Sequence, residues 1–466
     1  MRRTAGRVVT LCREGAHGHG SLQARRERAG SRAPRRRASA RPTPHARRSA
    51  TLRPAPPRPV TGPGARALHG RRVLDLAGAS GAYCGKLLAE MGADVVKIEP
   101  PGGDPARRAP PCWRDADGAE TSFAFLYANT SKRCVTLDLE RSAGRELLLR
   151  LAARADLVIE TFPPGHLAAR GLGYGALRAA NPRIVVTSIT GFGQTGPHRD
   201  YRSSDLVAGA LGGALYVTGD ADDPPVALAG AQSHVTASSF AAVSSLIALL
   251  HAGRTGEGQH VDVSVQEAVA SMTHICGAGK FLDDGIVPKR RGTGLFASVP
   301  SGAYPCKDGL VYLMVNRPLH WKALAEWIHE VTGNEEVLDP VFEGPSSRRI
   351  EYRELIDIFV SDLTQQLTVA EVYHEGQRRH IALTPVSTAA KVAADPQLAA
   401  RGYFVPVTHP GGAALPYPGA PYRHEKTPWT LRGPAPRPGE HNEALYCGEL
   451  GLDAAALRAL RSDGVV

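Results

Sequence analysis

Between Thr218-Gly219 and Pro224-Pro225 the chain reads Asp220-Ala221-Asp222-Asp223, three carboxylates in one short turn. A carboxylate in such a place can do covalent work. As a nucleophile it forms a covalent intermediate that splits one difficult step into two easier ones. The plain alternative is a solvated acidic turn, since Asp-rich loops before Pro are ordinary turn chemistry. Asp205, in Tyr201-Arg202-Ser203-Ser204-Asp205, lies upstream, and Glu267 opens a predicted helix downstream, where it reads as a partner of the helix dipole. A β-branched run over 184–189 ends in Gly191-Phe192-Gly193-Gln194-Thr195-Gly196-Pro197. That is the pattern of a buried strand delivering backbone to the edge of a ligand. Farther on, Lys289-Arg290-Arg291 precede Gly292-Thr293-Gly294. They read either as a mobile glycine loop with its cations near a phosphate, or as a turn with solvated charges.

The elements that must position these groups alternate. Strands are predicted over 73–76, 94–98, 134–139, 157–159, 184–189 and 259–264, and helices over 80–91, 143–154, 167–180 (interrupted at 171–175) and 238–251. Such alternation predicts an α/β fold with a doubly wound, Rossmann-like parallel sheet, which binds ligands beyond the carboxyl ends of its strands. Those ends carry 99–103, 160–162 and 190–192. No GxGxxG follows the first strand, so the dinucleotide fingerprint is absent. From about residue 280 the texture changes to a hairpin over 304–315, turning at Lys307-Asp308-Gly309, and helices over 319–331, 352–363 and 369–375. An amphipathic helix is predicted over 452–460.

Charge is unevenly spread. The net formal charge is +11, but residues 1–60 hold 16 Arg, no Lys and only Glu14 and Glu27, a local +14 that leaves the remainder at −3. The first 66 residues are too poor in bulky apolar side chains to fold alone, and are expected to be a disordered basic extension. They read as a mitochondrial-type transit peptide, an anion-touching arm, or upstream sequence translated from an early start. The last is preferred, because 47 Arg against 9 Lys suits a GC-rich coding bias. The mildly acidic body argues against nucleic acid as partner. Seven scattered cysteines without a CxxC pair argue against a disulfide framework or a zinc site and for a reducing cytoplasm. No run of about 18 apolar residues is seen, so no membrane span is expected.

Several ordered blocks carry a resemblance: GKLLAEMGADVVKIEPPGGDPAR (85–107), NTSKRCVTLDL (129–139), ADLVIETFPPGHLAARGLGY (155–174), the glycine loop, the acidic turn, and GEHNEALYCGELGLDAAALRALRSDGVV (439–466). Together they resemble the class III CoA-transferases, the CaiB/BaiF family, which includes formyl-CoA and carnitine CoA-transferases and the related α-methylacyl-CoA racemases. The resemblance implies an enzyme that moves CoA from an acyl-CoA donor to a free carboxylic acid, with Asp222 as nucleophile and Asp205 or Asp223 as the alternatives. CoA contacts are implied at Leu137, Thr161, Phe162, Arg170 and Thr190. Arg170 stands one residue from the family's usual Arg (here Ala169), and Thr190 stands where formyl-CoA transferase has Lys. No metal and no resident cofactor is implied; CoA arrives within the substrate. An interlocked homodimer is implied, with 67–279 as the first part of a large domain, 280–395 as a small α+β domain and 396–466 returning to the large one. Asp205 matches the racemases' catalytic Asp. Racemisation, though, needs a second base, usually a His ahead of the glycine loop, and 171–186 contains none. Acyl-CoA epimerisation and a catalytically inactive CoA-binding subunit are the competing readings.

Overall fold

The computed structural model describes residues 66–466 except 116, 117, 119, 275, 276, 296 and 297. The expectations for the basic extension, and those for Cys12 and Cys276, therefore lie outside the described residues, apart from Arg66.

Six strands form the central sheet: β1 (Arg72–Leu76), β2 (Asp94–Glu99), β3 (Arg133–Thr136), β4 (Leu157–Glu160), β5 (Val185–Thr190) and β6 (His260–Ser264). They pair in the order β3-β2-β1-β4-β5-β6, and every pairing is parallel. Successive side chains of a strand face opposite ways, so Leu74, Val96 and Val158 fall into one apolar cluster while Val73, Val95 and Leu157 fall into another. Both faces are covered, as parallel sheets require. The order reverses between β1 and β4, which makes the gap beyond their carboxyl ends the natural ligand crevice.

One face is covered by α1 (Ala82–Glu90) and by the 24-residue α6 (Gln232–Thr255). Ala237, Ala241, Ala248 and Ala252 of α6 let its backbone approach the sheet, and Ser245 is within 2.7 Å of Thr187 in β5. The helix runs well past the predicted 238–251. Its first turn, Gln232-Ser233-His234, has no side-chain cap and is entered through Ala231 in the left-handed region (φ +54), so nothing local announced it. By length and composition alone α6 is apolar enough to cross a bilayer, and its alanine face packs on the sheet. The intervening helices are α2 (Phe123–Ala128), α3 (Ser142–Ala152), α4 (Tyr174–Ala180) and α5 (Asp205–Leu211).

The other face is closed by α3 and by the chain's end. Leu445, Tyr446, Leu457, Val465 and Val466 join its core. Asn442 accepts from Thr136 N–H at 2.9 Å and donates to Thr136 Oγ1 at 2.8 Å, while Tyr446 Oη donates to Thr136 O at 2.7 Å. These bonds fasten the last 25 or so residues beyond the outer edge of β3. After α7 (Val265–Met272) a separate core gathers around an antiparallel sheet of β7 (Ser301–Cys306), β8 (Gly309–Met314) and β9 (Leu383–Pro385), packed by α8 (Pro318–Thr332), α9 (Arg353–Thr364) and α10 (Val369–Arg378). The predicted hairpin and all three helices are present.

Candidate active site

At the switch point Gly78 N–H, just after β1, donates to Thr161 Oγ1 just after β4 (2.8 Å). Beside it, Glu160 ends β4 buried, accepting Phe162 N–H at 2.7 Å, and burial pushes its carboxyl above the usual range. Phe162 lies flat on His166, with ring centres 4.4 Å apart. Arg170 donates to Glu140 in the loop after β3 (2.8 Å) and to His166 O (3.0 Å), so its charge is already paired. Leu137 has its side chain in the core and its N–H on Glu99 O (2.7 Å). Thr190 ends β5 buried, and its Oγ1 has no hydrogen-bond partner among the described residues; the same holds for Nε2 of Gln194 in the glycine loop. Buried polar atoms are almost always paired, so two orphans in one loop mark a place where a ligand's polar atoms fit.

The acidic turn is held from behind. Arg290 donates to the carbonyls of Tyr216 (3.3 Å), Asp220 (3.1 Å), Ala221 (3.5 Å) and Asp223 (3.1 Å), and Gly292 N–H donates to Gly219 O (3.0 Å). Asp220, Asp222 and Asp223 themselves are exposed. Gly292 has φ +59, a left-handed conformation that favours glycine, and a Cβ there would lie 2.4 Å from Asp220 Oδ1, so a larger residue would push that side chain aside. Arg290 is thus more than a solvated charge: it clamps the backbone that carries Asp222. Thr293 is occupied too, accepting Ala303 N–H at 2.8 Å.

Asp205 is used differently. It opens α5 behind the Ser204 cap, its Oδ1 accepts His234 N–H (3.0 Å), and its carbonyl accepts from Ser233 Oγ (3.0 Å). It ties α5 to the first turn of α6. The His234 ring is also there, with Nδ1 3.9 Å from Asp205 Oδ1. Burial lowers the imidazole's pKa while the Asp205 charge opposes it. This is a histidine that sequence spacing missed, because it stands 29 residues downstream of its partner and not ahead of the glycine loop. Glu267 behaves as expected, in the first turn of α7, with its N–H on Ser264 Oγ (3.2 Å).

A buried charge cluster beneath β1 also escaped the sequence reading. Lys132 Nζ donates to Asp75 Oδ2 (2.7 Å), Ala82 O (2.9 Å) and Asn129 Oδ1 (2.9 Å). Lys97 Nζ donates to Asp104 Oδ2 (2.9 Å), and Arg107 grips Glu99 through two bonds (2.8 and 2.7 Å). Burial pulls the Lys132 ammonium's pKa down even with Asp75 against it. These pairs fix the turn after β1, the 3-10 turn Pro105–Arg108 and α2 around a cavity of about 340 Å³, whose remaining wall is the start of α6. The only sequence signs were lysines inside or beside apolar strands.

Comparison with known proteins fits this arrangement. Residues 68–442 match the profile of CoA-transferase family III. The chain is 39% identical to the succinyl-CoA:(R)-benzylsuccinate CoA-transferase subunit BbsE of Thauera aromatica, over 81% of this chain and 93% of that one. It is 32% identical to the succinate–glutarate CoA-transferase of Agrobacterium fabrum, over 82% and 95%. Among solved structures, a CaiB/BaiF family protein from Brucella suis superposes with a TM-score of 0.73 at 30% identity, over 82% and 99%. The parallel sheet, its open switch point and these matches agree that the chain is a CoA-transferase enzyme belonging to CoA-transferase family III.

Proposed function

We propose that the protein transfers CoA from succinyl-CoA to a second carboxylic acid, with the Asp222 carboxylate as nucleophile. The observation that supports the acidic turn over Asp205 is the clamp: Arg290 holds the turn's backbone by four carbonyls while its carboxylates stand exposed, and Asp205 is committed to the α6 N–H; within the turn, Asp222 is preferred on its place in the family-like Thr218–Pro224 motif. An Asp222 oxygen attacks the thioester carbon; the C–S bond breaks, leaving a mixed anhydride and CoA thiolate. The thiolate attacks the aspartyl carbonyl, releasing succinate and forming an aspartyl-CoA thioester. The incoming carboxylate attacks that thioester, giving a new anhydride and thiolate. Attack of the thiolate on the acceptor's acyl carbon then yields the product thioester and free Asp222. Each intermediate is an activated acyl group, so no step is steeply uphill. Succinyl-CoA as donor follows the name of the Thauera relative.

The CoA itself is proposed to lie along the crevice at Thr161, Phe162 and Thr190, with Arg170 at its margin and Leu137 contributing backbone. The working enzyme is proposed to be a cytoplasmic homodimer in which a second copy covers the exposed turn. Enzyme incubated with succinyl-CoA and treated with hydroxylamine should carry a hydroxamate on the peptide containing Asp222, read by mass spectrometry. A hydroxamate at Asp205 or Asp223, or none, would displace this assignment.

Racemisation gains a specific observation in His234, beside Asp205. The geometry opposes it: two bases that exchange a proton across a carbon must have that carbon between them, and 3.9 Å between Nδ1 and Oδ1 leaves no room. Exchange of the substrate's α-proton in deuterated water without an acid acceptor is the result that would restore it.

A further inference from the structure

The cavity at the start of α6 differs from the rest of the crevice in what its walls offer. Ala79, Ala106, Ala109, Ala124 and Ala128 contribute nothing beyond a methyl group, and three rings, Tyr83, Phe125 and Tyr127, supply the remaining surface. The rings are braced from outside the cavity. Arg107 stacks on Phe125 (4.2 Å), Lys86 sits over Tyr127 (4.4 Å), and Tyr83 and Tyr127 stack with centres 6.1 Å apart. The polar groups in the same walls are spent on the protein. Asp104 is paired with Lys97 and accepts Ala106 N–H; Asn129 donates to Phe125 O and accepts from Lys132; Ser122 Oγ accepts Phe125 N–H.

Besides the tyrosine hydroxyls, polar side chains stand at one end, where Gln232, whose amide donates to Ala229 O (3.1 Å), and His234 lie on the first turn of α6. That end begins seven residues along the chain from Pro225, which closes the Asp222 turn. A small diacid would leave most of about 340 Å³ to water against methyls and rings, whereas specific ligand sites bury most of their ligand.

On the reading that this is a CoA-transferase, we infer that the cavity takes the side chain of the accepting acid, and that the acid is bulky and apolar, of the aryl-alkanoate class. Its carboxylate lies toward Gln232 and His234 and its ring lies among Tyr83, Phe125 and Tyr127. The small residues at 109 and 124 set the size limit, since any larger side chain there occupies the space of the acid's ring.

The test compares acceptors with succinyl-CoA as donor: 3-phenylpropionate and 4-phenylbutyrate against acetate, propionate and glutarate. Wild-type kcat/KM should favour the aryl acids. In Ala124→Phe, and in the milder Ala109→Leu should the first fail to fold, the ratio of aryl to short-acid kcat/KM should drop at least tenfold. A wild type that prefers the short acids overturns the inference and leaves the transferase reading standing. So does a uniform loss across all acids, which would assign the cavity to the pantetheine arm common to every reaction. If no acid is turned over with any donor, the transferase reading has failed. The cavity is then judged by calorimetry, where 3-phenylpropionate binding that weakens in Ala124→Phe supports it and absent or unaffected binding overturns it.

Discussion

Asp222 and Arg290 make a pair of opposite kind: one is exposed and free to react, the other is consumed in holding its neighbour's backbone. Asp222→Asn keeps the shape and removes the proposed nucleophile, so kcat should fall by about 10³-fold or more with the folded state and CoA affinity retained. Under the same assay Asp223→Asn and Asp205→Asn should keep part of the activity; an active Asp222→Asn would mean that the chemistry lies elsewhere. Arg290→Met leaves every reacting atom in place and frees the turn. Displacement of a reacting group by about an ångström costs on the order of 10²-fold, so kcat should drop by roughly that amount while the thermal midpoint changes little. Sequence reasoning nominated Asp222 through ordered blocks, yet it gave Arg290 no part in holding the turn, because a guanidinium bound to carbonyls 67 to 74 residues away has no local signature.

At the level of elements, the buried charges decide how the turn after β1 is held. Lys132 and Asp75 have fully buried side chains. Lys132→Met leaves the Asp75 carboxylate unpaired and should cost about 3–5 kcal/mol in denaturant unfolding, because an uncompensated buried charge is worse than no charge at all. The double change Asp75→Leu with Lys132→Met should recover much of that loss. Burial works against the charged forms of Glu99 and Asp104, but Arg107 and Lys97 more than offset it and hold both carboxyls below their usual values. Carboxylates depressed in this way stabilise the fold above the ordinary carboxylate range, and that contribution is lost as pH falls through it. Unfolding free energy should therefore decline below about pH 4. Arg107→Gln should flatten that acid limb.

Among the described residues, the outward side of α6 leaves a long apolar row open. Phe240, Val243, Ile247 and Leu250 line the outward side of α6, and Ile247 is 63% exposed. Single exposed apolar residues are ordinary, whereas a continuous row of them marks a contact surface. The second copy of the chain, proposed above to cover the acidic turn, is proposed to cover this row as well. Ile247→Asp should then lower the sedimentation coefficient toward that of a monomer and reduce turnover together. A variant that remains dimeric and active would place the contact elsewhere.

The alternation of apolar strand and amphipathic helix was enough to predict the parallel sheet, because strand and helix periods of two and 3.6 are properties of neighbouring residues. Its edges were legible too: 99–103, 160–162 and 190–192 do lie at carboxyl ends of the sheet. The same local logic failed where partners are distant. The meeting of Asp205 with His234, the grip of Arg290 on the acidic turn, and the Lys132–Asp75 pair across 57 residues each depend on how the chain returns upon itself. The cavity walled by Ala106, Ala109, Ala124 and the first turn of α6 is of the same kind. Alanines scattered between Ala79 and Ala231 carry no pattern, and only packing could gather them into one volume.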